Sequence, residues 1–226
     1  MRKAATKRRR DPSRREQILT VAAELIASQG FHAVGMSAIG SAAGITGSAI
    51  YRHFDSKSAV LVALFDYVID RRLRNAEIVA EQAADDREVL AKLMADQVCF
   101  SLTNRQLMHI YLREIHNLPE EDRRRLRRKQ RRYLEEWVHP VLELRPDLND
   151  AQAWALVHAC IGAVQSVLYH NSGLPIAELG SLMTSAARGL LAIDGLPDVE
   201  LVLDNYTVHP DVSLETAEQV GPEPAT

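Results

Sequence analysis

The sequence has little of what marks several common protein classes. Only 5% of its 226 residues are aromatic, and its two cysteines, Cys99 and Cys160, lie far apart with no CxxC pairing. That supports neither a disulfide framework nor a cysteine-held zinc site, and it fits a reducing cytoplasm. The longest uninterrupted apolar run, Val60 to Phe65, is too short to span a membrane, and no apolar stretch of signal-peptide length follows the basic N-terminus. Neither secretion nor a membrane partner is expected. HExxH, GxSxG, Walker and GxGxxG motifs are absent, and Gly40, Gly44 and Gly47 have the wrong spacing for a dinucleotide loop. No useful stretch shows the alternation of a half-buried strand, and no internal repeat appears.

What is present is a chain 46% apolar and 25% charged, enough for one ordinary core or two small ones. The net charge of -3 hides an asymmetry. Residues 1–60 carry ten Lys/Arg against Asp11, Glu16, Glu24 and Asp55, whereas residues 194–226 carry eight acids and no Lys or Arg. Such polarity suggests a front that binds a polyanion. Residues 1–12, with Lys7-Arg8-Arg9-Arg10, read as a disordered basic arm whose arginines neutralise phosphates or enter a minor groove. Residues 194–226 read as an acidic, mobile tail in which Val199–Leu203 can dock weakly.

Between them the periodicity predicts an all-α protein. Ser13 and Glu16 form a capping box ahead of Ile18, Val21, Ala22, Leu25 and Ile26, one helical face that Gly30 ends. Short helices are predicted over about 36–43 and 47–53, the latter capped by Thr46. Asp55 and Ser56 open a long helix to about Ala83 that repeats the one-face pattern through Leu61, Leu64, Phe65, Val68 and Ile69. Further helices are predicted over about 86–102, 104–116, 119–143, 149–169 and 176–193, with His139-Pro140 kinking the end of one and Asn149 and Gln152 capping the next.

Two short helices around Gly44 suggest helix-turn-helix. Ile39, Ala43, Ile45 and Ile50 can pack between them, while Gly40 and Ala42 allow close approach. The residues Ile39, Ala43-Gly44-Ile45-Thr46, Ile50-Tyr51, His53-Phe54 and Ser56-Lys57, after a first helix ending in Gly30-Phe31, resemble the motif of the TetR/AcrR family of bacterial regulators. The resemblance implies a three-helix DNA-binding domain over 13–56 and a larger helical ligand-binding and dimerisation domain over 57–193. It also implies that Tyr51, His53 and Lys57 contact phosphates of double-stranded DNA, while Thr46, Gly47, Ser48, Ala49 and Arg52 face the major groove. Lys57 at a helix N-terminus is itself disfavoured unless an anion lies nearby. Gly35 stands where the family has a capping Ser or Thr. With so few long side chains, base reading would rest on Thr46, Ser48, Arg52 and Ser37.

So short a reading helix makes too small an interface for firm binding alone, so a homodimer on a palindrome is expected. The resemblance places the dimer interface on the last two long helices. Ala155, Ala159, Gly162, Ala163 and Ser166 form a small-residue face there, with Thr184, Ala187 and Leu191 opposite. It also implies a cavity for a small apolar or amphipathic organic effector among the middle helices. These hold Met94, Phe100, Met108, His109, Tyr111, Leu112, His116, Tyr133, Trp137, Trp154, His158 and Tyr169, each of which can equally belong to a plain core. The run Arg123 to Arg132, eight Lys/Arg in ten positions, reads as a solvated face paired with Glu120, Glu121, Asp122, Glu135 and Glu136. The sharper alternative is that its edge takes the phosphates of an acyl-CoA ester. Neither a cofactor nor a metal is expected. A constitutive architectural DNA-binding protein and, through His109, His116 and Glu114, a helical enzyme remain as other readings.

Overall fold

The computed structural model describes residues 12–203, and these begin within its first helix. This helix, α1, spans Pro12–Gln29. The Ser13 side chain of the expected capping box and residues 1–11 of the expected arm lie outside what the structure describes. Gly30 ends α1 with φ +86°, a conformation that glycine alone adopts without strain. Next comes α2 (Met36–Ala42).

The expected helix over 47–53 is shorter and tighter, since only Ile50–Arg52 closes, as a 3₁₀ turn. The amides of Ala49, Arg52 and His53 each reach three residues back, to Thr46, Ala49 and Ile50 carbonyls at 2.8, 3.1 and 2.9 Å. Gly47 and Ser48 are weak helix formers, and Thr46 Oγ1 also takes the Ala49 amide at 3.3 Å.

The remaining helices are α3 (Lys57–Gln82), α4 (Asp86–Thr103), α5 (Arg105–Glu114), α6 (Glu120–Leu144), α7 (Asp150–Gln165) and α8 (Ile176–Leu191), with no strand among the described residues. Ser56 and Asp85 cap α3 and α4 by accepting the amides of Ala59 and Glu88. The Asn149–Gln152 box closes both ways on α7 at 3.0 and 2.9 Å. Helix α6 runs on past the buried Pro140 to Leu144.

Two apolar clusters hold the fold. One joins α1, α2 and the 3₁₀ turn to the first half of α3, and continues into α5 through Leu107, Met108 and Ile110. The other packs the second half of α3 against α4, α6, α7 and α8 around the fully buried Trp137. Asp150–Leu168 is long and apolar enough to cross a membrane by length and composition. In the fold it is a helix and its following turn, packed on one side by α4, α6 and α8 and open on the other. The chain after α8 is also placed. Arg188 donates to the carbonyls of Leu196 and Pro197, Ile193 and Leu196 are buried, and Leu201 and Leu203 pack on the second cluster. The mobile tail expected from residue 194 is thus held as far as Leu203, and residues 204–226 lie outside the described residues.

Candidate nucleic-acid interface and effector cavity

Helix α2 and the 3₁₀ turn close on each other through Ile39, Ala43 and Ile50, all fully buried, with Ile45 half-buried beside them. Gly44 makes the turn with φ +69°. Close approach is real at Gly40, where a Cβ would lie 3.3 Å from the Thr46 carbonyl and 3.4 Å from the Gly47 Cα. Ala42, expected to share this role, is exposed instead. Gly47 packs against Ser37, whose Oγ would lie 3.1 Å from an added Cβ, so its smallness serves that contact. Gly35 caps α2 with no side-chain hydrogen bond.

This packing leaves Ser37, Thr46, Ser48, Tyr51 and Arg52 exposed, and Ala49 and His53 half-buried. Thr46 and Ser48 share a hydroxyl contact at 3.3 Å. Tyr51 is 54% exposed, unusual for an aromatic of a folded domain. Arg15, on α1, lays its guanidinium 4.9 Å over the Phe54 ring and adds a cation beside this surface. Lys57 is placed differently. Its Nζ donates to the carbonyls of Phe31 (2.5 Å) and His32 (3.3 Å) and sits 4.5 Å over the Phe31 ring. Those carbonyls supply the negative partner that a cation at a helix N-terminus needs, so its position requires no phosphate.

The basic run on α6 is also largely satisfied within the protein. Arg125 bridges to Asp66 at 2.6 Å, Lys129 to Asp66 and Asp70 at 2.8 and 2.7 Å, and Arg132 to Glu77 at 3.0 Å. Arg123, Arg124 and Arg127 share Glu120, Arg125 also meets Asp122, and Arg131 pairs with Glu135. The pairs to α3 went unforeseen, because residues some sixty positions apart share no local pattern. The two arginines beside Glu120 hold its carboxyl below the usual range.

A cavity of about 120 Å³ lies between α3, α4, α5, α6 and α7. Of the expected lining residues, Phe100, Met108, Tyr111, Leu112 and Tyr133 are there. The others are elsewhere. Trp137 and Met94 are core, His109 is half-buried outside the lining, and His116, His158 and Tyr169 are exposed. Trp154 is half-buried under Arg131, 4.8 Å from its ring. The sequence reading missed Phe65, Val68, Ile69 and Arg72 of α3, together with Gln97, Leu107, Gln130, Leu134, Ile161 and Gln165. The first three were visible as the apolar stripe of α3, but the pattern does not say that part of the stripe faces a void.

Arg72 is the centre of the polar wall. Its Nη2 shares its two hydrogens among Asp96 at 3.1 Å, Gln97 at 2.8 Å and the Tyr133 hydroxyl at 2.5 Å, and its guanidinium lies 4.3 and 4.7 Å from the Phe100 and Tyr133 ring centres. Asp96, 4% exposed, also accepts from Asn75 at 2.6 Å. Burial pushes the Tyr133 hydroxyl up to about 12, so it stays a donor. Tyr111 reaches across from α5 to Gln130 at 3.1 Å.

Glu114 is buried and accepts from Asn117 at 2.6 Å, and no group of three potential ligands occurs among the described residues. On the expected dimer face, Ala155, Ala159 and Gly162 are exposed, with Ala163, Ser166 and Thr184 half-buried. Ala187 and Leu191, however, are fully buried, and Cys160 contacts the Ala187 carbonyl. They serve the packing of α7 on α8, and the open side of α8 carries Leu182, Ala186, Gly189 and Leu190 instead.

Two family models match the chain: the N-terminal model "Bacterial regulatory proteins, tetR family" over residues 18–64, and "Tetracyclin repressor-like, C-terminal domain" over residues 83–167. The HTH-type transcriptional activator FasR of Mycolicibacterium smegmatis is 31% identical over 77 residues, 34% of this chain and 35% of its own length. The chain spans between 30% and 54% of the length of the curated relatives it matches. A TetR-family regulator from Bordetella parapertussis superposes with TM-score 0.71 at 24% identity, covering 82% of this chain and 96% of that one. The FadR regulator from Bacillus subtilis, solved in complex with stearoyl-CoA, has TM-score 0.63 at 20% identity, covering 76% and 96%. Sequence models at both ends of the fold and the shared architecture agree: the chain belongs to the tetR family of bacterial regulatory proteins, which are DNA-binding transcriptional regulators.

Proposed function

We propose that the protein is a cytoplasmic regulator that binds palindromic operator DNA as a homodimer and is released by a small organic effector held between α3, α4, α5, α6 and α7. The observation that carries this reading is the division of labour around Gly44. Ile39, Ala43 and Ile50 are buried while Thr46, Ser48, Tyr51 and Arg52 stand exposed on the other side. Arg52 with the Thr46, Ser48 and Ser37 hydroxyls meets base edges, with Gly47 and Ala49 facing the groove beside them; Tyr51 and His53 meet phosphate. Lys57 supports this surface from behind through the carbonyls it holds.

Dimerisation uses the open faces of α7 and α8, where Ala155, Ala159 and Gly162 allow close helix approach and Leu182 and Leu190 supply apolar area. Repression by occupying the operator is the simplest output. The effector biases the dimer toward a spacing of reading segments that no longer matches successive major grooves. A coenzyme A ester has less support, because the basic run on α6 is engaged with Asp66, Asp70, Glu77 and Glu120.

The test is fluorescence anisotropy on DNA from the gene's own upstream region against a shuffled duplex, across a salt series. The expected result is preference for the upstream duplex, lost in Arg52→Ala and in a monomeric Ala159→Arg variant. Equal binding to both duplexes by a stable dimer would favour a constitutive architectural protein.

A further inference from the structure

The cavity discriminates by charge as well as by size. Among its lining residues Arg72 alone is charged, and that charge is already met by the buried Asp96 at 3.1 Å. The other polar groups of the wall are amides and phenols, and the rest is apolar. An anionic ligand would set two negative charges against one guanidinium in apolar surroundings, and a cation would meet the guanidinium itself. One buried donor has no partner: the Nε of Arg72, an uncompensated N–H that an acceptor on a ligand would satisfy. The volume, about 120 Å³, is of the same order as the roughly 150 Å³ of an apolar cavity that takes one benzene ring.

Resting on the effector reading above, we infer that the effector is an uncharged molecule of about one ring's bulk whose ketone, ester or lactone oxygen is received by Arg72. The guanidinium is stacked on Phe100 and Tyr133, and its Nε is shielded, so it must slide to meet that oxygen. Arg72 belongs to α3, which begins directly after the DNA-facing segment, so receiving the ligand and moving α3 are one event.

The experiment titrates the full chain, bound to its upstream duplex and free, with cyclohexanone, methyl butanoate, pentanoate (the anion of the isomeric acid), cyclohexane as a control without an acceptor, and butanoyl coenzyme A. Binding is read by calorimetry and release by anisotropy. Cyclohexanone and methyl butanoate are expected to bind and release DNA, with methyl butanoate preferred over pentanoate and cyclohexane. Arg72→Met is expected to erase the preference over cyclohexane. Asp96→Asn, which keeps the side-chain shape, leaves the guanidinium unbalanced and is expected to move the methyl butanoate to pentanoate ratio about tenfold or more toward pentanoate. Equal binding of pentanoate by the unaltered protein, an unmoved ratio in Asp96→Asn, or binding of butanoyl coenzyme A alone would overturn the inference and leave the effector reading standing. No binding by any of the five to a protein that still holds its operator would overturn both.

Discussion

Lys57 offers a direct measurement of whether a cation beside the reading segment touches DNA or holds the fold. Its Nζ donates to two backbone carbonyls, Phe31 and His32, and lies 4.5 Å over the Phe31 ring. Lys57→Gln keeps a polar chain of moderate length but cannot place an ammonium on those carbonyls. Hydrogen bonds from a charged donor contribute about 1.5–3 kcal/mol and an exposed cation–π contact about 0.5–1 kcal/mol. Because the site is only half-buried and a freed carbonyl is rehydrated, the expected net loss is about 1–2 kcal/mol. For a chain of this length that lowers the melting temperature by roughly 2–8 °C at fixed protein concentration. A phosphate contact has a different signature. Each one lost reduces the slope of log affinity against log salt by about 0.9. The structure predicts loss of stability with that slope unchanged, measured by thermal unfolding and by anisotropy at several salt concentrations. A slope reduced by about 0.9 per protomer with an unmoved melting temperature would refute the reasoning.

Gly40→Ala gains helix propensity within α2 but drives a methyl against the Thr46 carbonyl and Gly47 Cα. Stability should stay within about 1 kcal/mol while operator affinity falls about three- to tenfold, and unchanged affinity would mean the turn tolerates displacement. The Glu136 carboxyl is held above its usual range, by desolvation first and by Glu77 second. Its charged form is therefore penalised in the folded state, a cost present above the folded pKa and absent below the unfolded one. Glu136→Gln should accordingly stabilise at pH 7 by less than about 1 kcal/mol, with the gain vanishing in acid in parallel unfolding curves. Glu120 and Asp147 have the opposite sign, held low by Arg124 and Arg145. The stability they contribute is present above the ordinary carboxylate range and is lost as pH falls through their depressed values, so Asp147→Asn should flatten the acid limb of that curve. Burial raises the Cys99 and Cys160 thiols to about 11 and about 12. Both should resist a thiol reagent at pH 8 until denaturant is added, and fast labelling of either would contradict its placement.

What the sequence discloses is local. The stripe on α1, the caps at Ser56 and Asn149, the turn at Gly44 and the regulator-like motif all depend on residues within about a turn of one another, where spacing and chemistry act together. The departures come from longer reach. Nothing in positions 46–53 announces that Gly47 is spent against Ser37, which with Ser48 leaves a 3₁₀ turn where a helix was expected. The partners of Lys57 lie about 25 residues earlier, so a solvated or phosphate-bound lysine was the natural expectation. Residue type alone favoured Trp137 and Trp154 as cavity walls, yet a large ring fills space equally well where no void exists. On α8, small and apolar residues occur on both sides, so Ala187 and Leu191 could not be told from Ala186 and Leu190 until α7 was seated against one side.

The same long-range packing decides how the two ends of the molecule can be coupled. A separate reading head on a hinge would need its own closed core, but the cluster containing Ile18, Ile39 and Ile50 runs without a break into Phe65, Leu107 and Met108. Those last three also line the cavity. Helix α5 therefore has one face on α1 and another on the cavity, while α3 carries Arg72 at the cavity and begins just after the helix-turn-helix. Close-packed interiors shift between discrete arrangements more readily than they deform smoothly. In the proposed reading, a ligand that displaces Arg72 or wedges against Met108 thus acts on α3 and on the cluster that packs α1, α3 and α5 together. The proposed coupling would need no relay of intermediate residues, because the wall of the cavity and the underside of the helix-turn-helix are parts of one core.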